Sequence, residues 1–488
     1  ASNNTAVGSN ALLANTTGTE ITAVGVSALS SFVSGTAQLT AVGYQALKLC
    51  TAPYNTAVGW QAGDAITTGQ ANVMIGDGSL GSNQTGGSNT AVGHFALNNS
   101  TGDSNTGIGA TALRNNTSGT NNVAVGTQAL LNNTTGGSNT AVGRVALDAN
   151  TSGSNNVAVG NQSLGENTIA SQNVAVGDHA LNKNTTASNN TAVGYSALFA
   201  NINGTQNVAV GANALDANTT GNNNIGIGHN SMGGTTTGSS NTAIGSQSLR
   251  ANTTGEANTA CGEQALLNST TAANNTAVGK AALEANTTGG ANTAVGKSAL
   301  EVNTTGASNT CIGKDSGKTI VGGSNNLLLG KDAGTSSSPS GGIVNSDNIV
   351  CLGDNNIQSL HCADTSISSS DSRDKTDVVD FTKGLDWIKA LRPVTYRWDR
   401  RTWYGTDEEP YGTPDGSKKR SKTHIGFLAQ EALEVEKANG YGDTNDNMLV
   451  CNLTEDGMSY GMKYERLVPI LVNAIKELSA EINALKAA

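Results

Sequence analysis

A glycine that returns every 17 residues constrains this chain more than any other feature of its sequence. Aligned on the glycine that closes each Asn-Thr-Ala-Val-Gly segment, it falls at Gly8, Gly25, Gly43, Gly59, Gly76, Gly93 and Gly109. From Gly109 to Gly330 the spacing stays at 17 without a slip. Low-complexity sequence does not hold phase in this way, so a stacked repeat is expected instead of disorder. Composition alone leaves disorder open: charged residues make up 13% and aromatics 4%, and glycine supplies 61 of 488 residues.

One unit reads Asn156-Val157-Ala158-Val159-Gly160, then Asn161-Gln162-Ser163-Leu164, then a polar loop back to Asn173. Val157 and Val159 alternate around a small residue, as a short strand requires. The alternation points Val157 and Val159 inward and puts Ala158 on a second face where backbones approach closely. Leu147, Leu164 and Leu181, each four residues after a repeat glycine, are a second core contact. The Asn-Thr-Thr-Gly or Asn-Thr-Ser-Gly segment reads as a turn in which Asn tolerates left-handed backbone and Gly supplies positive φ. A single coil buries too little to stand alone, whereas stacked coils share a core. The expected fold is mainly β, a parallel β-roll or solenoid of about twenty 17-residue repeats over residues 1–330. Asn-x-Thr triplets such as Asn15-Thr16-Thr17 are read as turn and stacking chemistry, not as glycosylation acceptors.

Other classes are excluded on composition and spacing. A net charge of −10 argues against nucleic acid as the main partner, because phosphate binding needs Lys and Arg. No apolar run approaches the ~20 residues of a membrane-crossing helix, so no membrane insertion is expected. Cys261, Cys311 and Cys351 stand where other repeats carry Val or Ala and read as small buried hydrophobes, while Cys50, Cys362 and Cys451 are scattered. No phosphate loop, zinc spacing or Ser/His/Asp array appears, and His94, His179 and His229 do not cluster, so no cofactor and no metal are expected. Aromatic residues that could build a sugar subsite are rare in the repeat, and nothing marks a depolymerase. The chain opens inside a repeat at Ala1, so an anchoring region is expected before it.

After Gly330 the period fails, and residues 331–369 form an irregular transition. Thr335 to Gly342 reads as a loop insertion, and Ile349-Val350-Cys351-Leu352-Gly353 recovers the pattern once. From Ser370 the composition changes, with Trp387, Trp398 and Trp403 and most of the charge beyond it. The closing segment carries Tyr464, Leu471, Leu478 and Leu485 at seven-residue spacing, and likewise Val468, Ile475 and Ile482. These fit the d and a positions of a coiled coil; Ile at a with Leu at d leans toward dimers. A lone amphipathic helix packed on its own domain is the alternative.

Two resemblances sharpen this reading. Gly43-Tyr44-Gln45-Ala46-Leu47 and Gly194-Tyr195-Ser196-Ala197-Leu198 resemble the Asn-Thr-Ala-x-Gly-Tyr-x-Ala-Leu repeats of phage and environmental fibre proteins, and more distantly the head repeats of trimeric autotransporter adhesins. The resemblance implies three chains side by side. The blocks Ser370-Asp371-Ser372-Arg373, Gly384-Leu385-Asp386-Trp387, His424-Ile425-Gly426-Phe427 and Tyr464-Glu465-Arg466-Leu467 resemble the endosialidase-type intramolecular chaperone of phage tail fibres and tailspikes, over 370–488. That family cleaves itself with a serine and a lysine five residues later, and Ser370 and Lys375 match the spacing. Asp374 departs from the apolar residue usual beside the lysine, and a carboxylate there favours charged Lys375. His424 either assists or holds structure.

The resemblances imply a homotrimeric fibre at a virion tail or in another extracellular setting. Its other partners would be tail or baseplate proteins and a host-surface receptor, glycan or protein. A cell-surface trimeric adhesin or a polysaccharide-degrading tailspike is the alternative. An adhesin is expected to end in membrane-spanning strands, and a tailspike needs a carboxylate pair in a non-repetitive insertion.

Overall fold

The computed structural model describes residues 2–357, 375–405, 409, 411–454 and 457–487. The repeat is a parallel β-solenoid of about 19 turns at 17-residue spacing, and the C-terminal region is a small α+β assembly ending in a helix. The chain divides into two compact units, 1–292 and 293–488.

In the first unit, strands β1 (Thr5–Val7) to β17 (Thr276–Val278) run parallel, each adding to the one before, and most are three residues long. Register is strict: Val157 pairs with Val174, Ala158 with Ala175 and Val159 with Val176. The faces are the reverse of those read from the alternation. Ala158 is fully buried, and the flanking valines are half-exposed. The interior beside a strand is too shallow for a branched side chain wherever the Leu of the preceding coil fills it. Gly107 shows the limit: a Cβ there would sit 3.1 Å from Leu97 Cγ.

The repeat glycines make the tightest contact. Gly160 has φ +139, and a Cβ on it would meet the carbonyl oxygen of Gly177 at 2.3 Å. Backbone therefore stacks on backbone along this column, which only glycine permits. The turn that follows places Gln162 (φ +54) and Leu164 (φ +49) in left-handed backbone. For Leu this costs ~1–2 kcal/mol, and burying the side chain returns ~1.5–3 kcal/mol, so burial prevails. The Asn-Thr-Ser-Gly segment does not use left-handed backbone as expected. Asn150 is buried with Nδ2 donating to Gly153 O at 3.0 Å, and a Cβ on Gly153 would meet Ala170 O at 2.2 Å.

Two buried asparagine columns run through the coils. Asn156 donates its backbone N–H to Asn139 Oδ1 at 3.0 Å and its Nδ2 to Ala170 O at 2.9 Å. Asn150 Nδ2 donates to Asn133 Oδ1 at 2.8 Å, and Asn167 Nδ2 to Asn150 Oδ1 at 2.9 Å. Most of these buried amides bond to the same column one coil away, which removes the ~1–3 kcal/mol cost of an orphaned polar group; Asn83 Nδ2, Asn218 Oδ1 and Asn252 Oδ1 are exceptions.

The second unit opens with β18 (Thr293–Val295), β19 (Thr310–Ile312), β20 (Leu327–Leu329) and β21 (Val350–Leu352). Leu327 pairs with Val350 across the inserted loop, so the recovered repeat does rejoin the sheet. Beyond it lie α1 (Leu385–Ala390), β22 (Val394–Tyr396), β23 (His424–Gly426), α2 (Ala429–Ala438), β24 (Cys451–Leu453), β25 (Tyr460–Met462) and α3 (Leu467–Ala487). Strands β22 and β23 pair antiparallel, as do β24 and β25. Their core is Trp387, Val450, Leu467 and Ile470, with Phe381, Phe427 and Tyr441 packed around it. No disulfide forms among the described cysteines: Cys50, Cys311, Cys351 and Cys451 are buried, and Cys261 is half-buried at an outward strand position.

Candidate functional site

Three features of the second unit bear on function: the segment of the Ser370–Lys375 pair, the surroundings of His424, and the free face of α3. Ser370, Asp374 and the bond preceding Ser370 lie outside the described residues. Lys375 is described, and its side chain is exposed in the single chain. A lysine acts as a base only when its amine is neutral, and burial is what favours that form.

His424 opens β23, which pairs with β22 so that His424 lies across from Tyr396. The two rings stack at 5.6 Å with planes 20° apart, and Trp398 stands edge-on at 6.4 Å from the imidazole. Arg400 sits over the Trp398 ring at 4.1 Å. Burial pulls the Arg400 guanidinium below its usual range, and burial followed by the nearby Tyr464 raises Tyr396. Trp398, Arg400, Trp403, Arg420, Lys422 and His424 line a cavity of about 300 Å³, with Ile357 on its rim. The sequence did not mark this cleft, because its residues come from three separate connecting segments and the start of β23; clustered Trp and Arg was the only available signal.

The C-terminal helix is divided between two faces. Leu467, Ile470 and Ala474 are buried, and Asn473 Nδ2 donates to Phe381 O at 2.5 Å. Glu477 Oε2 accepts from the backbone N–H of Leu385 at 2.7 Å, closing the start of α1. The heptad residues face outward: Val468 is 57% exposed, Ile475 66%, Ile482 48% and Leu485 78%. Thus the helix does pack on its own domain, and the a and d stripe is left uncovered in the single chain.

A buried carboxylate fixes the rest of the scaffold. Glu436, on α2, accepts from the backbone N–H groups of Leu449, Val450 (3.1 Å) and Cys451 (3.0 Å). This holds β24 against α2 and offsets the desolvation of the charge. Arg392 grips Glu431 with two N–H groups, Nε at 3.0 Å, and this pairing holds the Glu431 carboxyl below its usual range.

Among known families, the one described as chaperone of endosialidase matches residues 370–441, about one-seventh of the chain. The match begins at Ser370 and takes in α1, β22, β23 and α2. No curated protein and no solved structure matches the chain. The C-terminal chaperone domain and the solenoid together fit a tailspike or fibre with an intramolecular chaperone. Among the described residues no helix is long and apolar enough to cross a membrane, and no group of His, Cys, Asp and Glu is arranged to hold a metal.

Proposed function

We propose that this chain is the subunit of a homotrimeric fibre of a phage tail or similar extracellular appendage. It serves to attach the particle to a host surface. The C-terminal domain brings three chains together, sets their register, and then cuts itself away before Ser370. The observation that carries the reading is the heptad stripe of α3. Val468, Ile475, Ile482 and Leu485 are too exposed to contribute to the domain's own core, and an uncovered apolar stripe of this length marks an interaction surface. The half-exposed Val and Ile residues of the strands are a second such surface, repeated on most coils. Val142, Ile244 and Ile312 are 37%, 41% and 43% exposed.

Dimer and trimer both satisfy an Ile/Leu seam. Matching residues 370–441 to an intramolecular chaperone of trimeric spikes favours the trimer. Three chains also explain when the cut would happen. Lys375 is exposed in one chain, and the burial that gives a lysine its base function would come only from partner chains. Once neutral, the amine takes the proton from Ser370 Oγ, and Oγ attacks the carbonyl carbon of Ser369. The amide becomes an ester, the Ser370 amine leaves with the proton, and water hydrolyses the ester to a Ser369 carboxylate and free Ser370. No activity on other substrates is expected.

Light scattering of the intact protein should give three times 49.1 kDa, and a monomer would refute assembly. Mass spectrometry of wild type, Ser370→Ala and Lys375→Ala should show a fragment starting at Ser370 in wild type alone, with both variants still trimeric. Wild type that stays full length after assembly would leave the domain as a permanent cap.

A further inference from the structure

The residue after each repeat glycine forms an outward column, and in the first unit this column holds an aromatic and polar strip. Its members on successive coils are Tyr44, Trp60, Asp77 and His94. The register is fixed by backbone: Gln61 N–H donates to Tyr44 O at 2.8 Å, and Gly78 N–H to Trp60 O at 3.0 Å. The Tyr44 and Trp60 rings lie 6.1 Å apart with planes 14° from parallel, and they are 43% and 51% exposed. Beside them Gln61 Nε2 donates to Gln45 Oε1 at 3.0 Å. Below, Asp77 Oδ2 faces His94 Nε2 at 3.5 Å, and both side chains are about half exposed.

We propose that Tyr44, Trp60, Gln45, Gln61, Asp77 and His94 form a glycan-binding strip for an uncharged oligosaccharide lying along the solenoid axis. The inference rests on the surface-attachment reading above and supplies its ligand class. A pyranose has an apolar C–H face that stacks on an aromatic ring and an edge of hydroxyls that need donors and acceptors at the same level. The stacked Tyr44 and Trp60 rings, both about half exposed, keep apolar ring surface open to a sugar. The glutamine amides supply both donor and acceptor, and the part-exposed Asp77 carboxylate adds an acceptor through Oδ2. Aromatic residues are as rare in the repeat as the composition says, yet the coil register brings two of them together. A carboxylate within the strip disfavours polyanions, including nucleic acid. Other coils show that the rings are not required by the fold, since Ala110 and Ala212 occupy the same column.

The test uses the full chain, fluorescently labelled, on an array of neutral and acidic bacterial surface oligosaccharides. Wild type should label a neutral subset, and Trp60→Ala and Tyr44→Ala should each weaken that binding more than about tenfold, as truncation of an aromatic anchor does. Tyr195→Ala, a lone exposed aromatic in the same column, should bind as wild type. All three should keep the wild-type melting temperature and molar mass. Array binding that survives Trp60→Ala overturns the strip, and so does wild type that labels no glycan. A change of molar mass in Trp60→Ala also overturns it, because the strip would then be an assembly face. Binding of labelled wild type to whole bacteria tells these failures apart from failure of the attachment reading itself.

Discussion

The solenoid and the C-terminal domain bury their interiors by different means. The coils use alanine, leucine and asparagine, each touching its own kind 17 residues away, as Asn156 touches Asn139. The domain uses a single cluster around Trp387, and its hydrogen bonds join distant segments: Glu477 to Leu385, and Asn473 to Phe381, are both 92 residues apart. Short-range contacts let coils add one after another, so damage is expected to stay local. Contacts between distant segments must form together, so the domain is expected to fail as a whole. An array of near-identical coils has little to define its own register, and a domain that folds all at once is a suitable place to define it.

The largest expected break is in the domain. Trp387→Ala should cost ~3–5 kcal/mol by opening the core, and Glu436→Ala a similar amount by orphaning three buried N–H groups. Circular dichroism and limited proteolysis should show loss of the C-terminal helix with the solenoid signal retained. Simultaneous loss of both would deny that the two regions differ in cooperativity.

A second test lies where the coil departs from its own rule. In most coils the fourth residue after the glycine is Leu, but it is Gly at Gly63, Gly317 and, before the inserted loop, Gly334; the first two show how the coil adjusts. The lost volume is restored by Ile66 and Ile320 in the asparagine column and by Met74 and Leu328 in the next strand, where Ala is usual. A Cβ on Gly63 would meet Met74 Sδ at 2.5 Å. Met74→Ala alone should cost ~2–5 kcal/mol. Adding Gly63→Leu and Ile66→Asn rebuilds the common coil and should recover most of it in thermal melts. No recovery would show that the substitutions do not compensate.

Ala158→Phe should cost ~1–3 kcal/mol per chain by overpacking, and Asn161→Lys, on the outer side, close to nothing. Equal melting temperatures would contradict the assigned faces. The smallest effect concerns thiols. Burial, with the Glu436 charge adding to it, pushes Cys451 up to about 12 from 9.0, and burial does the same to Cys311. Both should resist alkylation at pH 8 until the protein unfolds. Because the folded values are raised, stability should be unaffected below pH 9.0 and fall as pH climbs from there toward 12, while unfolded thiols ionise and folded ones do not.

The spacing of the glycines carried the fold because a 17-residue phase is a geometric fact about the chain. The faces were misread because a period of two says that Val157 and Ala158 point opposite ways, not which of them points in. Size was the missing clue: a column that is Ala or Gly in nearly every coil carrying the Leu is confined, and one filled by Thr, Val and Ile is not. The asparagine columns were legible in principle, since a polar residue that holds phase as strictly as Gly must be bonded. Left-handed leucines were not, because nothing in a leucine announces positive φ. In the domain the heptad stripe was legible from local spacing. The stacking of His424 on Tyr396 depends on strand pairing across 28 residues and could not be read locally.

The left-handed turn has a consequence for inheritance. In the coils of Gly8 to Gly330 its column holds Leu, Met or Gly and no Val or Ile, in keeping with the strain that left-handed backbone puts on a β-branched residue. Every coil therefore meets its neighbours through the same interchangeable fittings. Unequal recombination that removes or duplicates one whole coil leaves every column continuous, and a change of any other length breaks several at once. The gene can thus lengthen or shorten its product in single steps while the ends of the array stay the same, so that reach becomes a trait selection can adjust without redesigning the protein.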